Sequence, residues 1–379
     1  MKAQRILKQL AFSFFILTST PFLFAQCEFR SPVYIGGNYN RHNLNDLFFI
    51  DSLNGWSVGN HGLILHTQNG GQSWDIQYAE RNIQFNSVFF LSPDTGWIAG
   101  DSGSFHYTFN AGNTWNFIQA PTFANLHGVV FVDPNTGWMV GQQGTLLFTQ
   151  NGGLTWSLQT SGTNQNLTSI TAPSAQSLWI TGLNGTLLYS HNAGTLWNTA
   201  QTNTNRWLFS VDFLSPQKGV AVGTQGTVLA TQDSGKTWNI IPTGLFDWFN
   251  HVLYLSDSQI VIAGNQGFVT QTTDSGNTWS RVQAGNGNSI NAIARLNSQK
   301  WVVCGASGLL AISSNSKENW VSLYEGRQNM FRSTFFIDPN HGWIAGESGA
   351  MYRTRDGGVN WTPITPPFGI TDQVFLPTP

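Results

Sequence analysis

The residues of this 379-residue chain that could do chemistry fall into two groups. One is a recurring acidic or amide side chain inside a Thr/Ser-x-Asn/Asp-x-Gly turn that closes on tryptophan. Its acidic copies are Asp233-Ser-Gly235 with Trp238, Asp274-Ser-Gly276 with Trp279, and Asp356-Gly-Gly358 with Trp361. Carboxylates of this kind could bind calcium or act as acids and bases, but a metal site needs several ligands converging on one point. These occur singly, one per repeat, so the expectation is structural: the carboxylate accepts backbone N–H groups, the glycine takes positive φ and the indole covers the hairpin. No metal, cofactor or catalytic residue is expected. The second group is Arg41, Arg81, Arg206 and Arg327, which fall between repeats, together with Trp207 and Trp248, which stand where other repeats have Gln84, Asn125, Asn166 and Ser289. Arginine and tryptophan on one surface are what protein-binding hot spots use, so these six are the candidate partner-binding residues.

The elements that must position them follow from a strict metre. Tryptophans recur every 41 residues at 74, 115, 156, 197, 238, 279, 320 and 361, each preceded twelve residues earlier by a glycine, from Gly62 to Gly349. A fixed period without insertions is the signature of a repeat architecture. Within one period, short β-type runs such as Gly128–Val132, Trp138–Gly141, Thr145–Gln150 and Thr155–Gln159 alternate with Asp-Pro-Asn-Thr-Gly, Gln-Gln-Gly and Asn-Gly-Gly. Those clusters are turn signals, so each period supplies four antiparallel strands, the size of one propeller blade. Small residues at Ser87, Gly128, Ser169, Ser210, Ala292 and Ser333 suit a first strand lining a crowded central channel. Strand spacing alone also allows a β-sandwich or a solenoid; the aromatic turn motif favours a closed ring. The expected fold is therefore an all-β propeller of eight four-stranded blades over residues 44–365, with seven as the fallback. Either Trp361–Thr365 or Pro32–Gly36 is expected to pair with Met351–Arg355 and close the ring. Residues 26–43 form an N-terminal segment and 366–379 a short Pro-rich tail.

Residues 1–25 carry Lys2, Arg5 and Lys8 ahead of an apolar run ending at Ala25, the pattern of a cleaved secretory signal; the chain is expected to be exported, periplasmic or extracellular. The run is broken by Ser13, Thr18, Ser19, Thr20 and Pro21, which argues against a membrane anchor, so no transmembrane segment is expected in the mature chain. With 17 basic and 19 acidic residues before cleavage, the mature charge is about −5, and a general nucleic-acid role is excluded for want of a dense basic face. Only Cys27 and Cys304 are present, so the fold is no disulfide scaffold, and Cys304 reads as a small core residue. The chain contains no HExxH, Walker loop or GxSxG.

Thr231-Gln-Asp-Ser-Gly-Lys-Thr-Trp238 and Thr272-Thr-Asp-Ser-Gly-Asn-Thr-Trp279 resemble the Asp-box, or bacterial neuraminidase repeat, at every defining position. Five copies use Asn instead (Asn69, Asn110, Asn151, Asn192 and Asn315), and Lys317 replaces the glycine in one. The combined unit of Gly-Trp-x-x-Gly, a glycine three residues on and an Asp-box, as at Gly137-Trp138-Met-Val-Gly141 with Gly144, resembles the photosystem II stability and assembly factor family. That resemblance implies an exported, non-enzymatic propeller that binds an assembling membrane protein. It implies seven blades, whereas this chain writes eight units. A second resemblance sets an alternative: Phe29-Arg30-Ser31-Pro32 is similar to the sialidase segment whose arginine grips sialate carboxylate. A sialidase also needs further arginines and a Tyr–Glu pair on inserted loops, for which Tyr324 beside Glu325 is the sole adjacent pair and the rigid period leaves no insertions. A secreted carbohydrate-binding or adhesion propeller, with Trp207 and Trp248 stacking on a surface glycan, is the other alternative.

Overall fold

Why each 41-residue unit becomes a blade is visible in its second strand. Gly55–Gly59, Gly96–Gly100 and Gly137–Gly141 are buried at every residue, because a blade is sandwiched between two neighbours and its apolar residues point both ways. In the computed structural model, which describes residues 43–364 apart from 73, 79–82, 286, 314–319, 325–330, 337, 339–340, 347–350 and 356–361, every unit forms one four-stranded antiparallel sheet. The strands within each sheet are in sequence order. The blades span 44–78, 85–119, 126–159, 167–199, 208–240, 249–283 and 290–324, and an eighth sheet spans 331–364.

The first strands of successive blades lie against one another, and that of the seventh lies against Leu44–Phe49 of the first. The propeller therefore has seven blades; the expected eight-bladed ring is corrected to seven. Side chains at one repeat position show how the ring is held. Asn45 Nδ2 donates to the Phe85 carbonyl at 2.7 Å, Asn86 to Leu126 at 2.9 Å, Thr168 Oγ1 to Leu208 at 2.7 Å and Asn250 to Ile290 at 2.9 Å, each 40 residues ahead. His127 Nδ1 meets the Leu167 carbonyl at 2.8 Å. The same step from Asn291 would reach Phe331, but its amide donates instead to Leu44 at 2.8 Å. Blade 1 thus takes the place the eighth unit would have filled. Asn43 Oδ1 also accepts the Ser307 N–H at 3.0 Å, and Leu44, Leu47, Leu63, Leu65 and Trp74 share one core with Ala292, Val302, Cys304 and Leu310.

Repeat counting fixes the number of sheets, whereas the number in the ring depends on which first strand fits the last slot, a contact about 250 residues long-range in sequence. The eighth sheet belongs to a separate compact unit. Its Met351–Thr354 strand pairs with Thr362–Ile364, so of the two proposed closing strands the C-terminal one completes its own sheet. Among the described residues the ring closes by packing of the seventh blade's first strand against that of the first. Pro32–Gly36, the N-terminal segment up to residue 42 and the tail at 366–379 lie outside the described residues.

The channel wall also departs from the small-residue expectation. The position of Ser87, Gly128, Ser169 and Ser210 is Asp46 in blade 1 and His251 in blade 6. Asp46 spans to the next blade, its Oδ2 accepting the Val88 N–H and its Oδ1 the Leu47 N–H, both at 2.8 Å. Asp212 repeats the device two residues further along the strand, taking the Tyr254 and Phe213 N–H groups at 2.8 Å. Cys304 is a fully buried free thiol at the blade 7–blade 1 seam, as its core reading expects, and burial pushes its pKa up.

Candidate functional site

The turns sort the ring onto two faces. On one, each Asp-box hairpin, between strands three and four, meets the turn between strands one and two of its own blade; the bonds Gly70 N–H to Leu53, Gly152 N–H to Asn135 and Ser234 N–H to Gln217 recur around the ring. On the other, the turn between strands two and three meets the link to the next blade: Gly62 N–H to Ile83, Gly103 to Ala124, Gly144 to Gln165, Gly185 to Arg206 and Gly226 to Asp247. The close approach explains the glycine twelve residues before each tryptophan. At Gly144, with φ of +71°, a Cβ would sit 1.8 Å from the Thr163 carbonyl oxygen.

The Asp-box face is structural. Asp233 Oδ1 accepts the Thr237 N–H at 2.9 Å and Oδ2 its hydroxyl at 2.6 Å, while Thr231 Oγ1 donates to Asp233 and accepts the Gly235 N–H at 2.9 Å. Asp274 repeats the pattern with Thr278 and Thr272, the latter also receiving Gly276 N–H. Asn110 and Asn151 preserve it with the donor reversed, each Nδ2 donating to the threonine hydroxyl that an aspartate would accept from. The Trp238 ring does more than cover its hairpin: it stands edge-on to Trp179 of the preceding blade at 5.4 Å, and a Cβ on Gly235 would come within 1.8 Å of that same Trp179 ring. Trp279 joins the core of blades 5 and 6 in the same way.

Bonds from the Thr237 and Thr278 hydroxyls and N–H groups draw the Asp233 and Asp274 pKa values down to about 2. A depressed carboxylate contributes stability above its unfolded pKa of about 4 and loses it as pH falls through the folded value. Asp233→Asn with Asp274→Asn is therefore expected to lower the melting midpoint at pH 7 modestly, since the charge-assisted bonds give way to the neutral ones that hold the same turn at Asn110 and Asn151. The variant should abolish the part of the acid destabilisation between pH 4 and 2 that these groups cause. An unaltered acid limb in the melting curve against pH would exclude it. Among the described residues no group of three His, Cys, Asp or Glu side chains could hold a metal ion.

The face of the interblade links carries the other candidates. Trp207 and Trp248 are brought together there, with Arg206 preceding Trp207 in the chain, whereas Arg41, Arg81 and Arg327 lie outside the described residues, as do Asp356, Gly358, Trp361 and the sialidase-like Arg30 and Glu325. Trp207 and Trp248 are 41% and 47% exposed, and their ring centroids lie 6.1 Å apart at 61°. Phe209, which the sequence reading passed over, completes a trio, 6.4 Å from Trp207 and 6.2 Å from Trp248. Its signal was available: Phe209 occupies the position of Asn45, Asn86, His127, Thr168, Asn250 and Asn291, so an aromatic ring replaces an interblade hydrogen-bond donor at this junction. On the same face a cleft of about 640 Å³ is lined by the links at 203–206 and 240–246, with none of the three rings in its wall. Arg206 lines it and donates from one guanidinium nitrogen to the Gln225 carbonyl at 2.6 Å. Asp247 is engaged by Arg281 at 3.1 Å, whose guanidinium also lies 3.7 Å over the Phe268 ring.

The chain matches the family described as photosynthesis system II assembly factor YCF48, over residues 38–122, 113–205 and 195–326. No curated protein matches it. Among solved structures, it is similar to YCF48 from Cyanidioschyzon merolae, at 21% identity and TM-score 0.61, covering 73% of this chain and 96% of that one. A structure of YCF48 bound to a D1 peptide aligns at 22% identity and TM-score 0.48, over 65% of this chain and 84% of the other. The GH74 xyloglucanase of Xanthomonas campestris aligns at 11% identity and TM-score 0.62, over 85% and 67%. At these identities the structural likenesses speak for the propeller fold alone.

Proposed function

Because the chain belongs to the photosynthesis system II assembly factor YCF48 family, we propose that it is an exported, non-enzymatic propeller that binds a protein partner, an assembling membrane protein, through the face of its interblade links. The observation that carries this reading is the trio of Trp207, Phe209 and Trp248, two of them well exposed on that face. A water-facing aromatic cluster gives up burial that the fold could use, and aromatic residues beside an arginine are the composition of binding hot spots. The links are also where a rigid ring can vary without disturbing its blades. Arg81 is assigned to the same surface from its place between repeats.

The test is capture of membrane-protein partners from envelope extracts by the mature chain, against a variant combining Arg81→Ala, Arg206→Ala, Trp207→Ala and Trp248→Ala. The parent is expected to retain its partner and the variant to lose it, with both showing the same melting curve. Undiminished capture by the variant would remove the face assignment. The same preparation bears on export: a mature N-terminus at Gln26 supports it, and a retained Met1 opposes it.

A further inference from the structure

Two further aromatic side chains stand in the interblade links and are not used by the partner reading. Phe123 and Phe246 are 82% and 85% exposed, more open than any other large apolar residue among those described. They fill one repeat position, which is Asn82, Asn164 and Asn205 in other links. The residue after each is tied to the ring: the Ala124 carbonyl accepts the Gly103 N–H and the Asp247 carbonyl that of Gly226. Both phenylalanines therefore stand on the face of the interblade links. One lies between blades 2 and 3 and the other between blades 5 and 6, three blades apart in a ring of seven and so nearly opposite.

Charge divides unevenly between the two faces. The Asp-box face holds Asp51, Asp94, Asp133 and Asp257 in the turns between strands one and two, and Asp233 and Asp274 in the Asp-boxes themselves. On the link face, the links at 120–125, 160–166 and 284–289 contain no charged residue, and of the seven turns between strands two and three only one does, at Asp101. The remaining links add one charge of each sign, Arg206 with Asp247 and Arg81 with Glu80. A bilayer interface takes aromatic rings at headgroup level and resists charge. Being planar, it can meet tips on opposite sides of a ring at once, whereas a protein hot spot is a contiguous cluster at the centre of one interface. A phenylalanine this exposed buries little against its own blade, so the fold gains little from it over asparagine.

We propose that the face of the interblade links docks on a zwitterionic lipid surface, with Phe123 and Phe246 inserted at headgroup level and the acidic Asp-box face turned to water. This goes beyond the partner reading, which keeps Trp207, Phe209, Trp248 and Arg206 for the protein. A disc seated in this way holds that cluster against the membrane, where the extramembrane segments of a membrane-protein partner emerge.

The experiment is sedimentation of the purified mature chain with protein-free phosphatidylcholine vesicles, with and without added phosphatidylglycerol, in low and high salt. The parent is expected to bind phosphatidylcholine alone, with no gain from phosphatidylglycerol and no loss in salt, since the face brings no net positive charge. Phe123→Asn with Phe246→Asn installs the residue of the other links, so the variant should melt with the parent while its partition into vesicles falls about tenfold or more. Phe117→Ala, on an outer strand at a position 55% exposed, should bind as the parent does. A parent that stays in solution, binding indifferent to the double asparagine variant, or binding that needs phosphatidylglycerol and is lost in salt would overturn the proposal. Partner capture is measured separately in detergent, where no bilayer is present, and the double variant should capture as well as the parent. Loss of that capture, with no vesicle binding by the parent, would overturn the lipid assignment, give both rings to the protein interface and leave the partner reading standing. Vesicle binding by a parent that captures nothing in detergent would uphold the lipid surface and remove the partner reading alone.

Discussion

Trp97→Ala is expected to lower the stability of the ring by about 3–5 kcal/mol, the cost of deleting a buried large aromatic side chain and leaving its cavity. Trp97 is fully buried and belongs to blade 2, yet its principal contacts are in blade 3. Its ring stacks on Phe131 with centroids 3.6 Å apart and planes inclined by 6°, and its Nε1–H donates to the Gly152 carbonyl at 2.9 Å. Gly152 lies in the Asp-box hairpin of blade 3, so the indole ties the structural turn of one blade to the second strand of the blade before it. The alanine variant loses apolar burial, opens a void between blades and leaves that carbonyl without its donor. Trp97→Phe separates the terms: it keeps most of the packing and should cost about 1–3 kcal/mol, largely for the unsatisfied carbonyl. Phe117→Ala, at a position 55% exposed, should change little. Equilibrium urea unfolding of the three variants measures the order, and a Trp97→Ala midpoint equal to that of Phe117→Ala would refute the account of the interblade joint.

The same joint marks where sequence reading succeeds. Tryptophan metre, twelve-residue glycine spacing and turn composition are local, and each local choice agrees with the blade that forms. That agreement gave the four-stranded unit and the Asp-box hydrogen bonds of Asp233 and Asp274. The ring number depends on a contact between the two ends of the repeat array, where Asn291 meets Leu44 in place of Phe331, and a periodic pattern presents both carbonyls as equivalents. One sequence cue bears on the choice: the eighth unit carries Arg332 where the others have mostly Asn, His or Thr. Phe209 was legible by the same comparison. Asp46 and His251 interrupt the small-residue column, and their consequences are not local, because desolvation by the channel wall is set by residues from other blades.

Those channel residues give the ring an unusual pH response. Removal from water pushes the pKa of both Asp46 and Asp212 up to about 6, against the hydrogen bonds from Val88 and Tyr254 that favour ionisation. An acid with a raised folded pKa holds its proton in the native state after the unfolded chain has released it, so its contribution is greatest below about pH 4 and is lost as pH rises through about 6. His251 acts in the opposite sense. Desolvation lowers its pKa to about 4, so its contribution is complete above the unfolded value of about 6.5 and is lost as pH falls through about 4. The wild-type curve between pH 4 and 7 consequently sums two falling terms and one rising term, each on the order of 3 kcal/mol, and should show a net fall of about one such term. Replacing both acids by asparagine removes the declining terms, and stability should then rise with pH across this window as His251 alone dictates. His251→Gln should do the reverse, giving a ring that weakens steadily from pH 4 to 7. The absolute stability at pH 7 is a poorer readout for the asparagine variants, since each amide has one acceptor oxygen where the carboxylate serves two N–H groups. The slope is independent of that loss. Thermal or urea unfolding at intervals between pH 4 and 7 supplies it, and parallel curves for wild type, Asp46→Asn/Asp212→Asn and His251→Gln would show that the channel wall does not hold these groups away from water.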